Sequence, residues 1–223
     1  MPSSQSLWRP LQEIIDAGGP VFILLLITSV ITLTLVVYKT LQYARARVGA
    51  HSSLADALAA IDQGDRRKAQ SVFASSPHFL APVFDLGVRM DERLGKTARL
   101  EAEAEKRLEP LESGFRVLDT VAQLAPLLGL LGTVLGMIQA FQALQSAGPQ
   151  VDPASLAGGI WVALLTTAAG LSVAMPTSIA LSWFEARIDR ERLFTSHVIS
   201  IINAPITDAA TEPTAQTERL AAE

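Results

Sequence analysis

The sequence predicts an all-α membrane protein with three transmembrane helices, in which two long helices extend into a cytoplasmic helical domain. Three observations support this fold class. The chain of 223 residues is 49% hydrophobic, with a mean hydropathy of +0.32, and its 18% charged residues fall below the roughly 25% of soluble domains. Three uncharged apolar segments approach or exceed the about 20 residues that cross a bilayer. Two of them also carry glycine and threonine, which let membrane helices pack closely.

The first predicted span covers residues 20–38, after an outer segment of residues 1–19. A cleaved signal peptide is the alternative, because Ala44-Arg-Ala46 loosely resembles a cleavage site. However, Glu13 and Asp16 make a poor positive region before the span, and the apolar run exceeds the about 7–15 residues of a signal peptide. A retained span is therefore favoured.

The second and third spans are predicted at residues 118–145 and 156–184, joined by an outer loop of residues 146–155. The uncharged stretches in these regions, residues 120–151 and 153–184, are longer than a bilayer requires, so the helices should tilt or project beyond it. The helical pattern from Lys96 runs into the second span without a stop, with kinks expected at Pro110 and Pro126. The third span should continue as a cytoplasmic helix through residues 185–204. Residues 205–223 are polar and predicted to be disordered.

Lysines and arginines near the span ends predict the orientation, because cytoplasmic flanks are enriched in them. Only Arg9 precedes the first span, and residues 146–155 contain neither Lys nor Arg. The basic residues instead follow the first and third spans: Lys39, Arg45, Arg47, Arg187, Arg190 and Arg192. We therefore expect the N-terminus outside, and residues 39–117 and the C-terminus in the cytoplasm.

The cytoplasmic region 39–117 is predicted to hold three short packed helices. Residues 53–61 have apolar side chains at helical spacing, and Gln63-Gly-Asp65 separates them from a second helix at 66–73. Ser76-Pro77 and Ala81-Pro82 mark further boundaries before a third helix at 86–94, which Gly95 should end. The region has no phosphate-binding loop of the GxxxxGK[ST] type.

The composition excludes several classes of function. The absence of cysteine excludes disulfides, zinc–thiolate sites and thiol catalysis, and the net charge of −4 argues against general nucleic-acid binding. His51, His78 and His197 are scattered, and none has a second histidine or an acid at ligand spacing. The spans contain no catalytic pairing of the Ser–His, paired-Asp or HExxH type. We therefore expect no enzyme activity, no metal and no cofactor.

The polar side chains of the spans are hydroxyls and amides, without a firmly intramembrane ionisable group. Proton relays usually need such a group, so the chain either transports nothing or lines a path whose titrating group comes from another chain. Thr133, Thr166 and Thr167 are the candidates to line it. The alternative is purely structural, because such hydroxyls often bond their own helix and glycines serve packing alone.

Two motifs resemble those of the MotA/TolQ/ExbB proton-channel family. They are Ala125-Pro-Leu-Leu-Gly-Leu-Leu-Gly-Thr-Val-Leu-Gly-Met137 and Gly159-Ile-Trp-Val-Ala-Leu-Leu-Thr-Thr-Ala-Ala-Gly-Leu171, followed by Pro176. The specific motif covers about residues 120–185, and the three-span order extends the resemblance to most of the chain. The likeness is greatest to the ExbB and TolQ branches.

The resemblance implies a homopentamer in the lipid of the bacterial inner membrane, with the N-terminus in the periplasm. It implies an ExbD- or TolR-like single-span partner, whose Asp binds the proton inside the pore, and a TonB- or TolA-like protein that receives the motion. An ExbB-like role in outer-membrane import is expected, with a TolQ-like role in envelope maintenance as the alternative. No nucleic acid is implied.

The resemblance also assigns residues. Thr133 and Thr167 match the family's pore threonines, and Thr166 is a weaker candidate because adjacent helical residues point about 100° apart. Val162 stands where many relatives have Glu, so a Glu-dependent route is in doubt. Six further residues are expected to pack the helices: Gly129, Gly132, Gly136, Gly170, Pro126 and Pro176.

Overall fold

The computed structural model describes residues 5–91, 94–146 and 153–205, without side chains for 5–18, 53 and 155. These ranges form seven α-helices and no strand, which confirms the all-α prediction. The helices are α1 (Gln5–Ala46), α2 (Ser52–Asp62), α3 (Arg66–Ser75), α4 (Ala81–Arg89), α5 (Lys96–Glu112), α6 (Phe115–Ser146) and α7 (Pro153–Asn203). Most of the predicted outer loop and of the predicted disordered tail lies outside the described residues.

Three helical segments are long and apolar enough to cross a membrane: Gly19–Ala46, Phe115–Ser146 and Leu156–Asn203. The first begins at Gly19 because this residue interrupts α1 with φ +62° and ψ −166°, a conformation that favours glycine. The third lies in α7, which continues across Pro176 to Asn203. The predicted unbroken helix from the third span to about Ile202 is therefore confirmed.

The chain divides into two compact units. One, which we call the span unit, contains Met1–Tyr38 and Gly114–Trp183, and the other, the bundle unit, contains Lys39–Ser113 and Phe184–Glu223. Helices α1 and α7 contribute residues to both units.

The bundle unit packs α2–α5 and the last turns of α7 around a core of large apolar side chains. Its buried members include Phe73, Phe84, Leu100 and Ile199. The predicted helices at 53–61 and 66–73 correspond to α2 and α3. Asp65 precedes α3 and accepts a hydrogen bond from the Lys68 amide at 3.0 Å, as expected of a residue that caps a helix.

The predicted third helix at 86–94 is wrong in both bounds, because α4 begins at Ala81 and ends at Arg89. Ala81-Pro82 is the boundary at which α4 begins, and Pro82 itself lies in the first turn of α4. There a backbone amide has no partner in the helix, so proline is tolerated. Gly95, with φ +89°, directly precedes α5 and does not end α4.

The predicted continuous helix from Lys96 into the second span is also wrong, because α5 ends at Glu112 and α6 begins at Phe115. Gly114 adopts φ +92° in the turn between them. The last carbonyls of α5 are satisfied by α1: Lys39 Nζ donates to the carbonyls of Pro110 and Leu111, each at 3.2 Å. Lys39 thus helps to terminate α5, besides flanking the first span.

The expectation of isolated histidines is wrong for two of the three. His51 Nε2 lies 2.9 Å from Glu191 Oε1, and His78 Nε2 lies 3.6 Å from Glu191 Oε2, all within the bundle unit. Burial lowers the pKa of the His78 imidazole to about 4, and the neighbouring His51 acts in the same direction. His78 is therefore neutral at pH 7.

Candidate functional site

Helices α6 and α7 of the span unit meet along a stripe of small residues that we call the glycine seam. On α6 its members recur every three or four residues, which places them on one face of the helix. Each glycine of α6 faces α7 so closely that an added Cβ would meet it. The seam comprises Gly129, Gly132, Gly136 and Ala140 of α6, and Gly159, Ala163, Thr166 and Gly170 of α7.

Glycine is required in the seam because the two backbones nearly touch. A Cβ added at Gly170 would lie 2.5 Å from the Ala125 carbonyl oxygen, and one at Gly129 would lie 3.0 Å from the Thr166 carbonyl oxygen. These neighbours are backbone atoms, which cannot move away as a flexible side chain can. At Gly132 the added carbon would lie 2.6 Å from the Cβ of Thr166, so at all three predicted packing residues, Gly129, Gly132 and Gly170, a side chain would push the two helices apart.

Two adjacent threonines of α7 connect the helices through one acceptor. Thr167 Oγ1 donates to the Gly129 carbonyl oxygen at 3.2 Å, and Thr166 Oγ1 lies 3.3 Å from the same oxygen. Thr166 is only 1% exposed, packs beside Gly132, and also reaches the Ala163 carbonyl at 2.7 Å. Thr167 is half-buried, so part of it faces away from the seam.

Thr133 is half-buried on α6 and donates to the Leu130 carbonyl of its own helix at 2.7 Å. The hydroxyl of Thr133 thus bonds its own helix, as the purely structural alternative predicts. The hydroxyl of Thr167 instead bonds the other helix across the seam. Thr133 and Thr167, the two candidates to line a pore, are both partly exposed in this single chain. Their predicted role in a proton path stays a prediction.

The two prolines do not interrupt their helices. Pro126 is half-buried inside α6, and Pro176 is exposed inside α7. Ala125 beside Pro126 is fully buried and belongs to a second apolar cluster with Val21 and Leu25 of α1 and Ala174 of α7. The packing roles predicted for the prolines stay predictions, since Pro176 contacts little of its own chain. Val162 is half-buried on α7.

The outer faces of the three spans are covered with large apolar side chains. Examples that are at least half exposed are Ile27, Leu33, Leu127, Leu130, Leu164 and Ile179. A contiguous surface of this kind is stable only against lipid or another apolar protein surface. This agrees with the membrane class predicted from composition.

Sequence reasoning missed the contribution of Ala140, Gly159 and Ala163 to the seam. The signal was present, because small residues at 159, 163 and 166 follow the same helical spacing as the α6 glycines. The sequence did not show which residues of the two helices face each other, namely Gly159 with Ala140 and Gly136 with Ala163.

Comparison with known proteins agrees with this architecture. Residues 75–195 match the model of the MotA/TolQ/ExbB proton channel family. The chain is 34% identical over 134 residues to biopolymer transport protein exbB1 of Vibrio cholerae, a match that spans 56% of this chain and 59% of that relative, under two thirds of its length. It is 29% identical over 192 residues to biopolymer transport protein ExbB of Neisseria meningitidis, covering 78% of this chain and 86% of the relative.

A similarity to the second branch is also found. Tol-Pal system protein TolQ of Haemophilus influenzae is 39% identical over 84 residues, which cover 38% of this chain and 36% of that protein. The family match covers more than half of the chain, including all of α4, α5 and α6 and the glycine seam. The chain is therefore a member of the MotA/TolQ/ExbB proton channel family.

Proposed function

We propose that the chain is an ExbB-like subunit of an inner-membrane motor that uses the proton gradient. With an ExbD-like partner it energises TonB-dependent import across the outer membrane. Family membership and relatives named as ExbB biopolymer transport proteins support this role. The observation that carries it is the pair Thr133 and Thr167, half-buried hydroxyls on two spans that contain no ionisable residue between 120 and 146 or between 153 and 184.

The missing titrating group is supplied by the partner. An Asp on its single span binds the proton, and a hydroxyl can donate to the carboxylate or accept from the carboxylic acid. Without the partner, the Thr167 hydroxyl donates to the Gly129 carbonyl, and its oxygen is free to accept a hydrogen bond from the protonated Asp. Rotation about one bond redirects its proton to the partner. Thr166 is enclosed in the seam and acts by positioning α7 against α6.

The proposed assembly is a pentamer of this chain in the inner-membrane lipid around two copies of the partner, with a TonB-like protein as the receiver of the motion. The N-terminus is periplasmic, spans lie at 20–38, 118–145 and 156–184, and the bundle unit is cytoplasmic. The exposed apolar faces of the spans support contacts with lipid and with further copies. Native mass spectrometry of the chain co-expressed with its partner should give five copies with two.

The roles of the threonines are tested by Thr133→Val and Thr167→Val, which keep the side-chain volume and remove the hydroxyl. Each should abolish proton-driven uptake of iron chelates in a host that lacks its own ExbB and TolQ. Thr167→Ser restores a hydroxyl and should restore activity. Thr34→Val is the matched control, because Thr34 is an exposed threonine of α1 whose hydroxyl bonds its own helix, at the Val30 carbonyl.

Assembly is measured in parallel by native mass spectrometry, because loss of the Gly129 bond in Thr167→Val also removes a contact between helices. Full uptake by both Val variants would contradict the proposed roles. Loss of uptake with a dissociated complex would assign the threonines to assembly.

A TolQ-like subunit that maintains the envelope is the second candidate, supported by the similarity to TolQ of Haemophilus influenzae. Its partners would be TolR- and TolA-like proteins. Deletion in the native host distinguishes the two roles. Loss of iron-chelate uptake supports the ExbB-like role, and a leaky envelope with division defects supports the TolQ-like role.

A further inference from the structure

Three side chains with metal-binding chemistry meet in the bundle unit, and none of them belongs to the glycine seam. His51 lies in the turn between α1 and α2, His78 lies just before α4, and Glu191 is on α7. One ligand atom from each residue lies within 4.8 Å of the other two. Both histidines contact Glu191, although His78 precedes it by 113 residues and His51 by 140 residues in the sequence.

The cluster contains two buried polar atoms that lack hydrogen-bond partners among the described residues, His78 Nε2 and Glu191 Oε2. They face each other at 3.6 Å, which is too long for a hydrogen bond. His78 is 2% exposed and Glu191 is 1% exposed, so bulk water does not satisfy them. A buried carboxylate oxygen without a partner is costly, and binding a cation is one way to satisfy it.

The geometry points to a site for a first-row divalent metal ion of the Zn²⁺ type, held by His51, His78 and Glu191. Two ligands on a tetrahedral Zn²⁺ lie about 3.3 Å apart, as follows from metal–ligand bonds of about 2.0–2.1 Å. The hydrogen bond from His51 to Glu191 Oε1 is 2.9 Å long and His78 lies 3.6 Å from the other oxygen, Oε2, so small side-chain shifts bring the three groups to that spacing around an ion. Two imidazoles and one carboxylate suit Zn²⁺ and its neighbours, whereas Mg²⁺ and Ca²⁺ prefer oxygen ligands throughout.

The surroundings of the cluster orient its ligands. The Gly49 amide donates to Glu191 Oε1 at 2.6 Å, which holds the carboxylate and leaves Oε2 directed at His78. The His51 ring stacks on Phe194, with ring centroids 3.8 Å apart and planes inclined by 6°. Such outer contacts position the ligands of metal sites. The His51 side chain is 33% exposed and therefore provides a path by which an ion can enter.

One contact opposes metal binding by His78. The Leu80 amide donates to His78 Nδ1 at 3.3 Å, which places the proton of the neutral ring on Nε2. A metal bound at Nε2 requires that proton to move to Nδ1, so the Leu80 bond must be given up. This is one long hydrogen bond near the limit of the usual range, and it is much weaker than coordination of Zn²⁺.

The inference is independent of the proposed transport role and is tested by Zn²⁺ binding. The whole 223-residue chain is purified in detergent through a tag without histidine and stripped with a chelator. It is then titrated with Zn²⁺ in competition with a chromophoric chelator. We expect one Zn²⁺ per chain. Glu191→Gln should weaken binding by more than about 100-fold, since even outer contacts of metal sites are worth about 10–100-fold.

Two further variants make the result decisive. His51→Gln removes a partly exposed ligand, so it tests the site with little risk to folding if Glu191→Gln fails to fold. His197→Gln is the matched control, because His197 is an exposed histidine of α7, the helix that carries Glu191, and lies outside the cluster. Wild-type protein that binds no Zn²⁺, or binds no more tightly than His51→Gln, overturns the site. Loss of binding in His197→Gln also overturns it, since the ion would then lie elsewhere.

Discussion

The span unit and the bundle unit are packed with opposite kinds of side chain. The seam of the span unit consists of glycine, alanine and threonine, and it brings backbone within contact distance of backbone. The bundle unit instead buries phenylalanine, leucine and isoleucine, whose side chains fill the space between helices. Large apolar residues are equally available to the spans, but there they lie on the outer surface.

The solvent explains the difference. In water, burial of large apolar side chains drives helices together, so size is an advantage in the bundle unit. In lipid, a leucine gains little by leaving the acyl chains, so helices associate through close packing and hydrogen bonds. A threonine that reaches a carbonyl of the next helix, as Thr167 does, is then part of the adhesion.

The largest effect is expected from removing a large side chain of the bundle core. Phe84 is fully buried, and its ring lies 5.8 Å from that of Phe73. Phe84→Ala should destabilise the bundle unit by about 3–5 kcal/mol, because it leaves a cavity. Hydrogen exchange of the α2–α4 amides should accelerate at least about 100-fold. Leu193→Ala, an exposed position of α7, should leave exchange unchanged; equal rates in the two variants would contradict a size-dependent core.

In the seam the opposite change in size, the addition of one methyl group, should be destabilising, although by a smaller amount. Gly170→Ala places a carbon 2.5 Å from the Ala125 carbonyl oxygen and should cost about 1–3 kcal/mol by forcing the helices apart. Gly158→Ala is its control, because no atom of the described residues outside its own helical turn lies within 4 Å of the added carbon, and alanine favours the helix by about 1 kcal/mol. Unfolding in mixed micelles with increasing SDS measures both. A Gly170→Ala protein as stable as Gly158→Ala would show that the seam is not closely packed.

The smallest effect concerns the hydrogen bonds of the seam. Thr167→Val should cost about 0.6 kcal/mol, the average for a hydrogen bond between membrane helices, because its hydroxyl donates across the seam to the Gly129 carbonyl. Thr177→Val is a close control, since Thr177 is a buried threonine of the same helix whose hydroxyl bonds only its own helix, at Val173. The same SDS titration separates the two variants. Equal stabilities would mean that the seam is held by contact alone.

Much of the fold could be predicted because its signals are local. Apolar length located the three membrane-crossing helices, and helical period with a glycine break located α2 and α3. The errors at α4 and at the α5–α6 turn are also local. Proline is common both in the first turn of a helix, where Pro82 lies, and in the loop before it. Glycine is common both inside membrane helices and in turns between helices, where Gly114 lies.

The candidate site was predictable in its residue types but not in its contacts. Glycines and threonines at helical spacing indicated a close-packed face on each of two spans. The spacing did not show that Thr166 and Thr167 share the Gly129 carbonyl, or that Thr166 is enclosed while Thr167 is partly exposed. Those facts depend on how far α7 is shifted along α6.

The sequence alone determined that this protein is helical, that three of its segments are long and apolar enough to cross a membrane, and that residues 120–146 and 153–184 include no ionisable side chain. Each of these properties follows from composition or from neighbours a few residues apart, which a helix displays regardless of its partners. Tertiary structure alone decided the pairing of the glycine seam and the meeting of His51, His78 and Glu191. The physical reason is that such contacts join residues from 19 to 140 positions apart, whose distance depends on the packing of whole helices.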